Sequence, residues 1–202
     1  MSAKRIHFIR HAQSEHNARA LHVADEGVLC RDPGLRDAPL TALGHTQAAA
    51  LADEVSVLHE IELVVVSPLS RAIQTTLAAF VHHPAPRLIQ PLHREMQESF
   101  CDIGRPPADL AIDFPAFDFA HLDNPWWHDG PADGAPYPRE ALPAFEARVA
   151  AFAAWLAARP ETCIAVVGHG TFLRRLTGMT FDNAQRVDMP LADALDALRG
   201  RV

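Results

Sequence analysis

The chain has 202 residues, 49% hydrophobic and 21% charged, a globular balance that fits one large domain able to bury a substantial core. Its formal net charge of -7 argues against nucleic acid or an anionic membrane as the main partner and leaves any bound anion to be met by a few placed cations. No apolar run reaches about 18 residues, Met1–Arg5 leads straight into a strand-like stretch without the apolar segment of a signal peptide, and Cys30, Cys101 and Cys163 are too scattered for a disulfide framework or a metal knuckle. The expectation is a cytosolic protein with reduced thiols.

In chain order, Ile6-His7-Phe8-Ile9 reads as a strand that ends by releasing Arg10 and His11 side by side. A polar helical start lies near Ser14, followed by a Gly/Asp/Pro-rich loop from about Asp25 to Pro39. Thr41 can cap a helix whose inner face includes Leu43, Gln47, Leu51, Val55 and Leu58 at spacings of three and four. Ile61–Val66 is a β-branched strand, and Ser67-Pro68 offers an N-cap and a proline at the first helical position of the next helix. That helix should bury Leu69, Ile73, Thr76, Leu77 and Phe80. A short strand is expected near Arg87–Gln90. The stretch 101–138 has many prolines, the aromatic residues Phe114, Phe117, Phe119, Trp126 and Trp127 among others, and no sustained period; it reads as an ordered cap over a site, its tryptophans as cap core. An alanine-rich helix from Arg139 to Arg159 should bury Leu142, Phe145, Val149, Phe152 and Leu156. Thr162–Val167 is a second buried strand, ending in Gly168-His169-Gly170, after which Thr171 can cap a short helix that stops at Gly178.

Alternating strands and helices favour an α/β sheet with helices on both faces, and such sheets bind ligands at the carboxyl ends of their strands. The residues expected there are Arg10 and His11, the Ser67-to-Arg71 turn, a carboxylate among Glu95 and Glu98, and Gly168-His169-Gly170. Two imidazoles, two guanidiniums and an acid, set where helix N-termini point their amides, have the composition of a phosphate site. The remaining histidines, among them His7 and His93, lack convincing ligand spacing for zinc, so no metal is expected.

Four blocks carry a resemblance. Arg10-His11-Ala12-Gln13-Ser14-Glu15-His16-Asn17 resembles the Arg-His-Gly signature of the histidine phosphatase superfamily, the phosphoglycerate-mutase-like family. Leu40-Thr41 with Gly44, Gln47 and Ala48, then Ser67–Thr75, then Val167–Gly170, agree with it in order and spacing. The resemblance implies a single domain over 1–202, a three-layer α/β/α sandwich around a mixed, mostly parallel six-stranded sheet, a phosphohistidine intermediate, and no metal or other cofactor.

On that resemblance, and on the chemistry of the side chains, His11 is the expected nucleophile, Arg10 and Arg71 clamp phosphate oxygens, His169 adds a third positive group if protonated beside a dianion, Asn17 donates an amide hydrogen bond, and Gly170 belongs to the substrate-binding block. A carboxyl close to the phosphate should have its pKa raised and serve as general acid. Glu95 fits the common Arg-Glu-aliphatic version of the family's pattern, and Glu98 is the alternative. The expected activity is hydrolysis of a phosphomonoester, or of phosphohistidine on a protein. Phosphoglycerate mutase is a second reading, weakened because Ala12, Gln13 and His16 replace the Gly, Glu and Trp usual in that signature. A non-catalytic phosphate-binding module is a third.

Overall fold

The computed structural model describes residues 4–23, 25–132 and 134–200; Met1–Ala3, which precede the first strand, lie outside the described residues. In chain order the elements are β1 (Arg5–Arg10), α1 (Glu15–Ala20), α2 (Glu26–Cys30), α3 (Ala42–Ser56), β2 (Leu63–Val66), α4 (Ser70–Ala79), β3 (Arg87–Ile89), α5 (Pro107–Asp113), α6 (Leu142–Ala158), β4 (Cys163–Gly168), α7 (Gly170–Thr177), β5 (Arg186–Pro190) and α8 (Leu191–Arg199), with three short 3-10 turns between them. The strands form one sheet in the order β3-β2-β4-β1-β5, parallel throughout except for β5, which runs antiparallel to β1.

Every residue of β2 and β4 is buried, as expected of central strands covered on both faces. Alternation then separates two cores. Ile9, Val64, Val66, Ala165 and Val167 pack with Leu51 and Val55 of α3 and Ile73 of α4, whereas Ile6, Phe8, Leu63, Val65, Ile164 and Val166 pack with Phe145, Phe152 and Leu156 of α6, Phe172 of α7 and Leu191 of α8. The result is a sheet between two helical layers. No described helix is long and apolar enough to cross a membrane.

The expected architecture holds, with five strands among the described residues in place of six. Beyond β3 the chain turns at Pro91, which cannot donate to a ladder, and the ring of His121 bonds the Ile89 carbonyl at 2.9 Å on this edge strand. The fifth strand, β5, and the helix after it come from a tail whose polar sequence gives no strand period: every β5 side chain is half-buried or exposed.

Three local expectations shift. The inner face of α3 is Gly44, Ala48, Leu51 and Val55, and Leu43 is 53% exposed. The reason is Gly44: a Cβ there would collide with the Gln13 carbonyl oxygen, so the backbone of α3 itself forms the contact. Leu142 likewise sits exposed in the first turn of α6. Neither Ser67 nor Thr171 is an N-cap. Leu69 and His169 hold those extended positions, and α7 ends at Gly178 with φ 81°, the left-handed stop that the sequence suggests.

In 101–138 most of the aromatic side chains are buried. Phe114, Phe117, Phe119 and Trp126 join the core that contains α3 and α4, and Trp126 Nε1 donates to the Arg105 carbonyl at 2.9 Å.

Candidate active site

The carboxyl ends of β1, β2 and β4 open into one cavity of about 390 Å³. Its lining includes Arg10, His11, Asn17, Arg71, Glu95, Glu98 and Gly170, so nearly all the sequence-predicted residues meet there. His169 lies just behind, its ring centroid 5.2 Å from that of His11.

His11 is 4% exposed. Its Nδ1 stands 2.7 Å from the Ala12 carbonyl oxygen, which can only accept. Nδ1 therefore carries the proton, and the lone pair belongs to Nε2. Arg71 Nε donates to Nε2 at 3.2 Å. Burial, with the guanidiniums of Arg71 and Arg10 nearby, holds the imidazole well below its ordinary pKa, so the neutral ring is the resting form. The backbone around it is pinned as well: the His11 carbonyl accepts from Ala184 N and from Asn183 Nδ2, and Ala12 N donates to Thr75 Oγ1 at 3.0 Å.

Arg71 is only 3% exposed, and its guanidinium is held on three sides. Nη1 donates to the Cys101 carbonyl at 2.6 Å, Nη2 pairs with Asp102 Oδ1 at 2.9 Å, and Nε reaches His11. Arg10 is anchored by Nη1 on the Phe181 carbonyl at 2.7 Å, while its Nε is buried with no hydrogen-bond partner among the described residues. A Cβ at Gly170 would stand 3.3 Å from that Nε, so glycine is what lets the Arg10 guanidinium lie against the start of α7.

His169 Nε2 bonds Ser67 Oγ at 2.7 Å, and its buried Nδ1 lacks a partner among the described residues. Burial and the neighbours Arg71 and His11 hold it well below the ordinary histidine range. Its neutral form is thus favoured, and an anion beside it would favour the charged form. Asn17 Oδ1 accepts from Ser14 N, Ser14 Oγ and Asn183 Nδ2, which leaves its amide N–H groups to donate.

Glu95 caps α7. Its Oε2 accepts from Thr171 N and its Oε1 from Phe172 N, both at 2.9 Å. Burial, and then the like charge of Asp102, raise its pKa above the usual carboxylate value against these amide bonds and Arg71. Glu98 also lines the cavity, but is exposed at its rim.

Sequence reading missed Asp102, Ser67 as a side-chain partner, and Asn183. Asp102 anchors Arg71 and also accepts from the Ser99 and Glu98 amides at 3.1 and 3.3 Å. No period or motif marks it, because it sits at the mouth of the irregular stretch. His93 is structural: Nε2 bonds the Val167 carbonyl at 3.0 Å, the ring stacks on Phe152, and burial lowers its pKa to about 3. Among the described residues the one group with metal-ligand proximity is His7, Glu60 and Cys163, at the opposite end of the sheet. Arg186 donates to His7 Nδ1 at 3.2 Å there, which puts the His7 proton on Nε2 and leaves that nitrogen without a lone pair.

A parallel sheet with buried guanidiniums and paired imidazoles around one cavity defines an α/β protein with an oxyanion pocket at its strand ends. This chain belongs to the histidine phosphatase superfamily, branch 1, whose family model matches residues 6–194. It is 33% identical over 205 residues to a phosphoglycerate mutase-like protein of Arabidopsis thaliana, covering 86% of this chain and 73% of that one. A Schizosaccharomyces pombe protein named as a probable phosphatase is 29% identical over 201 residues, covering 96% and 83%. Among solved structures, the α-ribazole phosphatase of Shigella flexneri superposes with a TM-score of 0.60 at 26% identity, covering 91% of this chain and 89% of that one.

Proposed function

We infer that the protein is a phosphatase that hydrolyses a phosphomonoester through a covalent phosphohistidine on His11, with no metal in the reaction. The observation that carries this reading is the fixed tautomer of His11: Nδ1–H is held by the Ala12 carbonyl, and the Nε2 lone pair lies beside Arg71. Relatives named as phosphatases support the hydrolytic outcome.

Phosphate oxygens take N–H groups of Arg71, Arg10 and Asn17, which draws the Arg71 Nε–H away from His11 Nε2. The freed lone pair attacks phosphorus, the P–O bond to the alcohol breaks, and the leaving oxygen takes the proton of Glu95. Water then gives a proton to Glu95 and attacks phosphorus, releasing inorganic phosphate and neutral His11. His169, backed by Ser67, supplies positive charge when the dianion raises its proton affinity. Glu95 is preferred to Glu98 because burial raises its pKa above the usual carboxylate value, whereas Glu98 lies exposed at the rim.

The reading extends to a small phosphorylated substrate, or phosphohistidine on a protein, handled in the cytoplasm by a single domain whose 101–138 stretch supplies one wall of the site. The test is release of inorganic phosphate from p-nitrophenyl phosphate and a metabolite-phosphate panel in EDTA, with rapid quenching to trap acid-labile phosphohistidine. Release is expected from wild type and not from His11→Ala. A rate that persists in that variant, or that EDTA removes, overturns the mechanism; interconversion of 2- and 3-phosphoglycerate would replace it with the mutase reading.

A further inference from the structure

The phosphate cavity does not end at the phosphate. A second cavity of about 510 Å³ adjoins it, and Met96, Thr171 and Arg174 line both. Its apolar wall includes Leu142 and Phe145, and its far end is Gly178, the stop of α7.

The helix explains the continuity. Phe172, Leu173, Leu176 and Thr177 are buried, so the opposite stripe, Gly170, Thr171, Arg174 and Gly178, faces outward at spacings of three and four. Gly170 touches the phosphate pocket, and Arg174 stands four residues on, roughly 6 Å along the axis at the rise of an α-helix. Long helical side chains lean toward the N-terminus of their helix, so the Arg174 guanidinium leans back toward the phosphate rather than away from it. Its neighbour Arg175 is matched by Glu146, with Nη2 and Oε1 at 2.7 Å. The wall shared by the two cavities thus holds the Arg174 side chain beside Met96 and Thr171, and beyond it Leu142 and Phe145 line the second cavity together with the Arg175–Glu146 pair.

We propose that the two cavities are one substrate groove and that Arg174 is a specificity residue for a second anionic group on the alcohol part of the phosphomonoester. The proposal rests on the phosphatase reading and names its substrate class: a small phosphate ester whose carbon chain lies against Met96 and Phe145 and carries a carboxylate or second phosphate several bonds from the first. A guanidinium meets either anion with the same forked donors.

The experiment compares three esters of one chain length, which share their leaving alkoxide chemistry: butyl phosphate, 4-(phosphonooxy)butanoate and butane-1,4-diol bisphosphate, with p-nitrophenyl phosphate as a control for turnover. Wild type should favour one or both doubly charged esters over butyl phosphate by about tenfold in kcat/KM, the scale of one charge-assisted hydrogen bond. The better of the two identifies the anion. Arg174→Gln should bring that ratio close to one, mainly through KM, and Arg174→Lys should restore part of it. Equal kcat/KM for the three esters in wild type, or a preference that survives Arg174→Gln, overturns the proposal and leaves the phosphatase reading standing. No turnover of any ester, p-nitrophenyl phosphate included, overturns both.

Discussion

Arg71 Nε donates to His11 Nε2 at 3.2 Å, so the cation that should clamp the substrate also covers the nucleophile's lone pair. This contact also lowers the His11 pKa, because a fixed positive charge beside the ring opposes protonation. Arg71 thus has two tasks, and a lysine can do only part of each. Arg71→Lys should lower kcat/KM by about 10²- to 10³-fold, the scale of one lost preorganised donor. Steady-state kinetics with p-nitrophenyl phosphate reads it, and a loss under threefold would remove Arg71 from the phosphate clamp.

Asp102 holds Arg71 where it can reach His11, through a pair buried on both sides. Replacing Asp102 with alanine strands a buried guanidinium, at a cost of about 3–5 kcal/mol for breaking such a pair, read by urea denaturation. Asp102→Asn keeps an acceptor for Arg71 Nη2 but removes the charge, and turns N–H groups toward the Ser99 and Glu98 amides or the Arg71 guanidinium. It should fold and show a raised KM for phosphate esters, with inorganic phosphate a weaker inhibitor. Unchanged phosphate inhibition in a folded Asp102→Asn protein would reduce Asp102 to a structural role.

What the sequence disclosed and what it withheld divide on a physical line. β1, β2 and β4 were legible because buried parallel strands are near-continuous apolar runs, and the residues at their ends carry the chemistry. Arg10, His11, Arg71 and Gly170 therefore came together as expected. Asp102 was hidden because its role is set by a contact 31 residues distant in the chain, inside a stretch with no period. Ser67 was read through local capping rules, but a tertiary partner, His169, claimed its hydroxyl. β5 was hidden by its partial exposure, since a half-covered edge strand needs no apolar alternation.

The choice between the two glutamates can be made by leaving group. p-Nitrophenolate departs readily without a proton, whereas an alkoxide needs one from a general acid. Glu95→Gln should therefore slow an alkyl phosphate by about 10²- to 10⁴-fold while slowing p-nitrophenyl phosphate far less. Glu98→Gln, at the exposed rim, should slow both by a similar small factor. The reverse pattern would transfer the acid's role to Glu98.

Four buried histidines make a prediction about acid stability. His7, His11, His93 and His169 all have folded pKa values below the ordinary 6.5, each chiefly through burial, and His93 lies at about 3. Below pH 6.5 the unfolded chain takes up protons that the folded chain refuses, so stability falls as pH falls. Each ring contributes up to about 1.4 kcal/mol per pH unit until its own folded pKa is reached. Glu95 and Asp37, raised from 4.5 and 3.8 mainly by burial, act in the opposite sense, because the folded chain binds their protons first. Two carboxyls against four imidazoles leave a net loss. The melting temperature should be nearly level from pH 8 to 7 and should decline between pH 6.5 and 5, before carboxylates ordinarily titrate. Replacing His93 with glutamine, which can still donate to the Val167 carbonyl, removes one of the four and should flatten that slope by about a quarter once the variant's own lower stability is set as baseline. Calorimetry across this range is decisive: a melting temperature constant from pH 7 to 5 would mean that these rings accept protons without unfolding, contrary to their burial.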